Sequence, residues 1–212
     1  ALTILSFLLS GCTKPDPELN IHDLKCENLK EPAGISTLMP RFSWKISSEI
    51  NGTSQGAYQI LAASDEKLLD ESRADLWNSG KVASEESVLV PWNGKKLQSG
   101  IVCFWKVRIW DQNDRISDWS PISSFSTGLL EETDWKAVYI AFDAGKDIQA
   151  SPQLRKTFTL NDDPGHLLLH VNSLGYHEVW VNGTKAGDKV LTPAVSQFGK
   201  RSLVITYDIT SL

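Results

Sequence analysis

FWKVRIWD, residues 104–111, is the stretch that decides the fold of this chain. Apolar and polar side chains alternate along it, as expected for a β-strand that buries one face and exposes the other. The predicted inner face carries Trp105, Val107 and Ile109, and the outer face carries Lys106, Arg108 and Trp110. The same two-residue period returns in PRFSWKI (40–46) and AYQILAA (57–63), so several strands are predicted to bury one face each.

Turn dipeptides separate these β-type runs. They are Asn51-Gly52, Asn93-Gly94, Ser99-Gly100 and Asn113-Asp114. Short strands at roughly ten-residue spacing favour an antiparallel sandwich over a parallel α/β sheet. One segment, 64–76, has a brief helical pattern instead, with Ser64 as its expected N-terminal cap.

A second series of β-type runs begins after Gly128 and a short acidic connector. The predicted strands lie within 135–142, 154–160, 166–175, 177–183 and 202–210. Asn182-Gly183 is predicted to form a two-residue hairpin turn, because both residue types tolerate the positive φ that such a turn requires. The chain is therefore predicted to be all-β, with two modules in sequence.

Composition sets limits on function. The 212 residues suffice for one large domain or for two of about 100 residues. Twenty-one basic and 26 acidic residues give a net charge of -5, which disfavours nucleic-acid binding. Eight Trp stand beside four Tyr and seven Phe, an excess that suits both β-sandwich cores and carbohydrate-facing surfaces. Composition alone does not choose between these two uses.

The first residues are predicted to be an export signal. Residues 1–9 form an almost unbroken apolar run that is too short to span a bilayer. Leu9-Ser10-Gly11-Cys12 resembles a bacterial lipoprotein signal, in which the sulfur of Cys12 is acylated. Two prolines within 13–18 then suit an extended tether, whereas the alternative is a buried N-terminal strand with an incidental cysteine.

With Cys12 lipidated, Cys26 and Cys103 remain as an even pair in an oxidising compartment. Both lie in apolar, strand-like contexts, where they form either a disulfide or two small buried thiols. The spacing of Cys and His residues does not match a zinc site, so no metal ligand is assigned.

Trp119, within SDWS (117–120), is predicted to lie opposite Arg108 if these segments pair as the last two strands of the first module. A guanidinium stacked on an indole is worth about 0.5–2 kcal/mol. The alternative is a sugar-stacking platform, but an indole already covered by arginine is not free to bind a sugar. The ladder interpretation predicts that Arg108 lies within about 6 Å of an indole centroid.

No catalytic residue is assigned from the sequence. A phosphate-binding glycine loop, a zinc-protease motif and a serine-hydrolase elbow are all missing from it. Glycoside hydrolysis needs two carboxylates that face each other across a sugar. The acidic clusters at 131–134 and 162–163 lie in predicted connectors, where solvated charge is the expected role.

The order of the motifs resembles the N-terminal region of bacterial α-L-rhamnosidases of glycoside hydrolase family 78. The matching pieces are LKCENLKEPAGISTLMPRFSW, AYQI, WNSG, KVRIWD, SDWS, FSTGLLEETDWKA, LRKTFTL, LGYHEVWVNGTKAGDKVLTP and KRSLVITYDIT. Each piece alone is weak, but the ordered set is specific and extends over about residues 21–212. The resemblance implies a fibronectin-III-like (immunoglobulin-like) sandwich over 21–128, followed over 129–212 by part of a jelly-roll-like β-sandwich. Residues 1–20 are expected to be the signal remnant and the tether.

The resemblance also carries functional expectations. In this family the second sandwich binds rhamnose in some members with the help of a calcium ion, whereas catalysis resides in a helical (α/α)6 barrel further along the polypeptide. Two departures are visible: Cys103 stands four residues before Val107, where a fibronectin-like module usually has a tyrosine, and the match stops at Leu212 within the second sandwich. The second sandwich is therefore expected to be incomplete.

The candidate sugar contacts are Asn182 at the hairpin and Asp188 in the GDKVL run that follows. Loop amides and carboxylates often bind sugars, and an oxygen-donor pair also suits a hard cation such as calcium. The alternative is that Asn182 serves only the turn geometry and that Asp188 is solvated.

The leading hypothesis is a non-catalytic N-terminal part of an exported, lipid-anchored α-L-rhamnosidase of the bacterial cell envelope. Its parent would hydrolyse terminal α-L-rhamnosyl linkages with inversion, and this part alone would be inactive. Its partners would be a rhamnose-containing glycan, the catalytic barrel of the same polypeptide and the membrane through the lipid. The alternative is a stand-alone surface lipoprotein for carbohydrate binding or adhesion.

Overall fold

A computed structural model describes residues 19–141, 151–160 and 165–212. The first half contains eight strands and forms two facing antiparallel sheets. The strands are β1 (Leu19–Cys26), β2 (Arg41–Ser48), β3 (Gln55–Ala63), β4 (Trp77–Asn78), β5 (Val82–Ala83), β6 (Val90–Pro91), β7 (Val102–Asp111) and β8 (Ser123–Ser126). One sheet has the order β1-β2-β6, and the other has the order β4-β3-β7-β8 with β5 also paired to β3.

Strand β7 confirms the alternation that FWKVRIWD predicts. Its side chains switch between buried and half-buried at every position from Val102 to Asp111. It lies between β3 and β8, so both of its edges are hydrogen-bonded and its inner face meets the opposite sheet. A strand in this central place buries an apolar face most completely, which explains the strength of the sequence signal.

Aromatic rings fill the space between the two sheets. Trp44 and Trp105, which the alternation places on inner faces, are 2% and 0% exposed. Phe42 lies at the centre of the cluster, with its ring centroid 4.3 Å from that of Trp105 and 5.8 Å from that of Phe125. Offset aromatic contacts of this kind add to the apolar area that each ring buries. The first half is thus an immunoglobulin-like sandwich with an aromatic core.

Cys26 and Cys103 lie in this core as free thiols, which decides between the two alternatives for this pair. Burial raises the pKa of the Cys26 thiol to about 12, and burial likewise raises the pKa of the Cys103 thiol. Both side chains therefore behave as small apolar residues.

The helix expected over 64–76 is wrong in extent and in its cap. Only Glu66–Leu68 is helical, as a single 3-10 turn, and Asp65 caps it by accepting a hydrogen bond from the Lys67 backbone N–H. Ser64 instead donates its hydroxyl to Asp75, at 2.7 Å. Short polar side chains satisfy the local backbone groups here, and this competes with the hydrogen bonds of a longer helix.

The ladder on the outer face of β7 is confirmed, although its strand pairing is not the expected one. The Arg108 guanidinium carbon lies 4.5 Å from the Trp119 centroid and 5.3 Å from that of Trp110. The last strand is Ser123–Ser126, whereas residues 117–120 run beside β7 with two backbone hydrogen bonds only. The serine hydroxyls at 117 and 120 bond β7 in place of a regular ladder, which keeps this segment out of the sheet.

The second half contains four further strands in two small antiparallel sheets. They are β9 (Leu168–Asn172), β10 (Trp180–Val181), β11 (Thr184–Lys185) and β12 (Val204–Asp208), with β9 paired to β12 and β10 paired to β11. The all-β class is thereby confirmed for the described part of the chain, whose helical content is two 3-10 turns at Glu66–Leu68 and Glu132–Asp134.

For two of the strands predicted in this half, the prediction is wrong at the residues that the structure describes. Residues 136–141 and 154–160 are exposed and form no strand, although their sequences alternate as a strand would. A β-strand is stable only when a neighbour pairs with its backbone, and alternation does not report whether that neighbour is present.

The two halves meet where the backbone of Gly34 lies against the side chain of Thr206. Gly34, which has φ +74°, faces Thr206 of β12, and a Cβ added at Gly34 would lie 2.1 Å from the Thr206 hydroxyl oxygen. The ring of Phe104 on β7 also lies 5.6 Å from the His166 ring, centroid to centroid. Within the described ranges, no helix is long and apolar enough to cross a membrane.

Candidate carbohydrate-binding site

The predicted hairpin is present and carries the first candidate residue. Trp180 pairs with Lys185 and Val181 pairs with Thr184, which leaves Asn182 and Gly183 as a two-residue turn. Their φ angles are +49° and +85°, as the predicted turn type requires. The local sequence was sufficient to predict this turn because few residue pairs accept its backbone geometry.

The side chain of Asn182 is exposed but held in place. Its amide nitrogen donates a hydrogen bond to the backbone oxygen of Leu212, at 2.9 Å. Its Oδ1 accepts no hydrogen bond from the described residues, so this atom can accept one from a ligand hydroxyl. Asn182 therefore contributes to the turn through its backbone and keeps a positioned acceptor at the surface.

Asp188 lies beyond β11 and is exposed. Among the described residues, no hydrogen bond or ion pair joins its carboxylate to Asn182. The structure places the two candidates in the same region without building them into one cluster. Their assignment as sugar contacts stays a prediction.

The described residues of this region do not fit a calcium ion. Calcium takes six to eight oxygen ligands, and protein sites supply several of them from carboxylates. No group of three or more His, Cys, Asp or Glu residues in the described ranges lies close enough together to hold a metal. Asp188 is a single carboxylate beside Asn182, so no role is derived through a metal here.

A network of three polar side chains fixes the segment that leads to the hairpin. The hydroxyl of Ser173 lies 2.6 Å from Nδ1 of His177, and Nε2 of His177 lies 3.0 Å from the hydroxyl of Tyr207. Ser173 also donates to the backbone oxygen of Gly175, so it accepts from Nδ1–H of His177. Burial lowers the pKa of His177, which favours the neutral ring that this network needs.

Sequence reasoning missed a row of exposed side chains on this segment. The row consists of Tyr176, Glu178, Trp180 and Asn182, which alternate with the half-buried His177, Val179 and Val181. The signal was present as a two-residue period in YHEVWVN.

The acidic clusters and Cys12, which the sequence also singles out, either have a structural role or lie outside the residues that the structure describes. Asp134 accepts hydrogen bonds from the Ser99 hydroxyl and from the Glu131 backbone N–H, so it caps the 3-10 turn that follows the first sandwich. The hydrogen bond from Ser99 is the main cause that lowers the pKa of Asp134. Cys12 and the acidic pair at 162–163 lie outside the described residues.

These features define a class of protein: an all-β chain that begins with an immunoglobulin-like sandwich and continues into further small sheets. Its sequence places it within a family. Residues 21–131 match the family described as "Rha78A-like, N-terminal immunoglobulin domain", and residues 163–212 match "Alpha-L-rhamnosidase N-terminal domain". The chain belongs to the family of Rha78A-like N-terminal immunoglobulin domains.

Comparison with individual proteins agrees with this assignment. The chain is 37% identical over 195 residues to an alpha-L-rhamnosidase of Formosa agariphila, covering 88% of this chain and 21% of that protein. It is similar to the structure of the alpha-L-rhamnosidase from Dictyoglumus thermophilum, with a TM-score of 0.79 and 33% identity over 90% of this chain and 23% of the other. It is also similar to the crystal structure of the Streptomyces avermitilis alpha-L-rhamnosidase complexed with L-rhamnose. That TM-score is 0.54, and the identity is 30% over 89% of this chain and 20% of the other. The chain thus spans about a fifth of the length of the relatives that it matches.

Proposed function

We propose that this chain is the N-terminal, non-catalytic portion of an exported α-L-rhamnosidase that hydrolyses terminal α-L-rhamnosyl linkages with inversion. The observation that carries the proposal is the order of the two family matches, both described as N-terminal domains, in a chain that covers about a fifth of relatives named alpha-L-rhamnosidase. The relatives favour this function over a stand-alone adhesion lipoprotein, because each of them is an alpha-L-rhamnosidase.

The chain itself is proposed to be inactive, since the resemblance assigns the catalytic acids to a helical barrel. The aromatic core of the first sandwich and the contact of Gly34 with β12 suit a brace for such a barrel. The test compares the full-length protein with the 212-residue chain on p-nitrophenyl α-L-rhamnopyranoside. We expect the full-length protein to release nitrophenol and the chain to release none; release by the chain would overturn this assignment.

The export signal and the lipid on Cys12 are a separate part of the proposal. Their support is the apolar run at 1–9 and the Leu9-Ser10-Gly11-Cys12 motif. In a bacterial host, the full-length protein is expected to incorporate labelled palmitate and to fractionate with the cell envelope. The Cys12→Ser variant is expected to lose the label; a variant that keeps the label would contradict acylation at this sulfur.

Asn182 and Asp188 are proposed to contact rhamnose. The support for Asn182 is its positioned acceptor beside the hairpin, and the support for Asp188 is its exposed carboxylate on the next loop. Rhamnose binding by the full-length protein would be measured by calorimetry, with Asn182→Ala and Asp188→Ala as variants. Affinity that both variants retain would remove these residues from the site.

A further inference from the structure

A cavity of about 290 Å³ opens in the first sandwich where the edge strands of its two sheets meet. Trp77 of β4 lines it from one sheet, and Trp92, which follows β6, lines it from the other. The ring centroids of these two indoles lie 5.2 Å apart. Met39 also lines the cavity and is 62% exposed, so the cavity opens to solvent beside this residue. Every described side chain on the wall is uncharged, which favours a neutral ligand over an ion.

Two buried side chains of this wall carry a polar group without a partner. Tyr58 is 9% exposed and Trp77 is 8% exposed. Among the described residues, none forms a hydrogen bond with the Tyr58 hydroxyl or with the Trp77 N–H, yet neither polar atom is sealed in the core as Nε1 of Trp105 is. Burial raises the pKa of Tyr58, so its hydroxyl keeps the proton. Because side chains buried to this degree are normally hydrogen-bonded, two donors that line one cavity indicate a site for a ligand.

Other polar groups of the wall are already engaged or open to solvent. The Trp92 N–H donates to the backbone oxygen of Lys95 at 2.9 Å. The hydroxyl of Ser79 accepts from the Ile60 backbone N–H and donates to the backbone oxygen of the following residue, both at 2.8 Å. Asn93 is exposed at the rim. The buried part of the wall therefore offers donors, and a ligand that fits it has to supply acceptors.

We propose that this cavity is a docking site for a proline-rich peptide segment of a partner protein, with Tyr58 and Trp77 donating to its carbonyl oxygens and proline rings packed on Trp77 and Trp92. Each proline supplies a carbonyl acceptor and no N–H, so such a segment meets the two donors and leaves no donor of its own unpaired. Aromatic-lined grooves are a recurring receptor for proline-rich segments, whose extended helix is already formed before binding. The cavity is at the small end of the range for ligand pockets, so it takes a short segment.

The pattern of donors separates this ligand from two others. A purely apolar partner would cover the Tyr58 hydroxyl and the Trp77 N–H without pairing them, which costs the desolvation of both groups. A sugar brings a donor with each of its hydroxyls, and the engaged hydroxyl of Ser79 has little capacity left to accept one. Carbonyl oxygens on an apolar frame match the partial positive charge of the two donors, and the uncharged wall adds no ion to repel them.

The test measures binding of acetyl-hexaproline amide to the full-length protein by ligand-observed NMR, with acetyl-(Gly-Ser)3 amide as a control peptide rich in N–H donors. We expect the hexaproline to bind and the control peptide not to bind. Tyr58→Phe is expected to weaken hexaproline binding about fivefold, the effect of one hydrogen bond, and to leave the melting temperature unchanged because the hydroxyl has no partner in the fold. Met39→Ala, at an exposed position on the same wall, is expected to weaken binding about twofold to threefold.

Tyr176→Phe is the matched control, since it removes the same hydroxyl from a tyrosine that is 57% exposed and lies outside the cavity. It is expected to leave hexaproline binding unchanged. Three results would overturn the proposal: no binding of hexaproline at millimolar concentration, equal affinity in the unmodified protein and Tyr58→Phe, or a lower melting temperature of Tyr58→Phe, which would assign the hydroxyl to the fold. Binding of L-rhamnose that Tyr58→Phe abolishes, in a protein that ignores hexaproline, would show a sugar site instead. None of these readouts depends on hydrolysis, so they stand apart from the test of the proposed function.

Discussion

Replacing Gly34 by alanine is expected to weaken the contact between the two halves of the chain. The new Cβ would lie 2.1 Å from the Thr206 hydroxyl oxygen and 2.3 Å from the Thr206 Cβ. Neither side can move freely: the Gly34 N–H donates to the Ser126 hydroxyl at 3.0 Å, and Thr206 is paired in β12 and bonded to His170 at 2.8 Å. The overlap must therefore be relieved by separating the two surfaces or by distorting one of them.

The expected loss in the free energy of unfolding of Gly34→Ala has two parts. A non-glycine residue at φ +74° costs about 1–2 kcal/mol, and forcing extra volume into a close contact costs about 1–3 kcal/mol. The sum predicts a loss of about 2–5 kcal/mol in the free energy of unfolding, measured by urea denaturation of the chain.

Gly52 supplies the matched control. Its φ is +78°, and no atom lies within 4 Å of the position that its Cβ would take. Gly52→Ala therefore contains the backbone strain without the overlap, and the difference between the two variants isolates the contact. If Gly34→Ala destabilises the chain no more than Gly52→Ala does, the contact with Thr206 contributes nothing and the reasoning fails. Trimming Thr206 to glycine should rescue Gly34→Ala but not Gly52→Ala.

Three further predictions concern the first sandwich. Arg108→Ala should lower the free energy of unfolding by about 1–2 kcal/mol in urea, since Arg108 covers two indoles and pairs with Glu71 at 2.8 Å; a loss no larger than that of an exposed arginine such as Arg73 would contradict the ladder. Asp111→Asn should cost about 2 kcal/mol at pH 7, because the Asp111 carboxylate is fully buried and accepts from the Asn113 and Arg115 backbones at 2.9 Å. Burial acts to raise the pKa of Asp111, but hydrogen bonds from Arg115 and Asn113 bring this pKa below the usual 3.8. The contribution of Asp111 to the free energy of unfolding is therefore present above about pH 4 and is lost as the pH falls through the lowered pKa. A stability difference between the unmodified chain and Asp111→Asn that stays constant down to about pH 2 would refute this. Cys26 and Cys103 should react with a thiol reagent only after unfolding, because burial raises the pKa of both thiols. A timed titration with and without urea measures this, and rapid labelling of either thiol in the native state would contradict the buried positions of both residues.

The parts of the fold that sequence predicted are those in which local pattern and final environment agree. FWKVRIWD becomes the central strand β7, where one face meets the core and the other carries the ladder. Asn182-Gly183 becomes the hairpin turn, because the constraint lies within the dipeptide itself.

The remaining parts depend on groups that are distant in the sequence. LRKTFTL alternates as well as β7 does, yet residues 154–160 have no sheet neighbour among the described residues and stay exposed. The segment 64–76 has helical spacing, but Asp65, Asp70 and Asp75 each bond nearby backbone or hydroxyl groups and hold separate turns. For the candidate site, the pattern located Asn182 but not its bond to Leu212 or the orientation of Trp180.

The tryptophan surplus shows how structure resolves an ambiguity that composition leaves open. Four indoles, those of Trp44, Trp77, Trp92 and Trp105, lie in the core between the sheets. Trp110 and Trp119 are covered by the cations of the ladder, and Trp135 is half-buried beside the 3-10 turn. Trp180 is the eighth, and it is the one of the eight that is more than half exposed. The surplus is therefore mostly architecture, because six of the eight indoles lie in the core or in the ladder of the first sandwich.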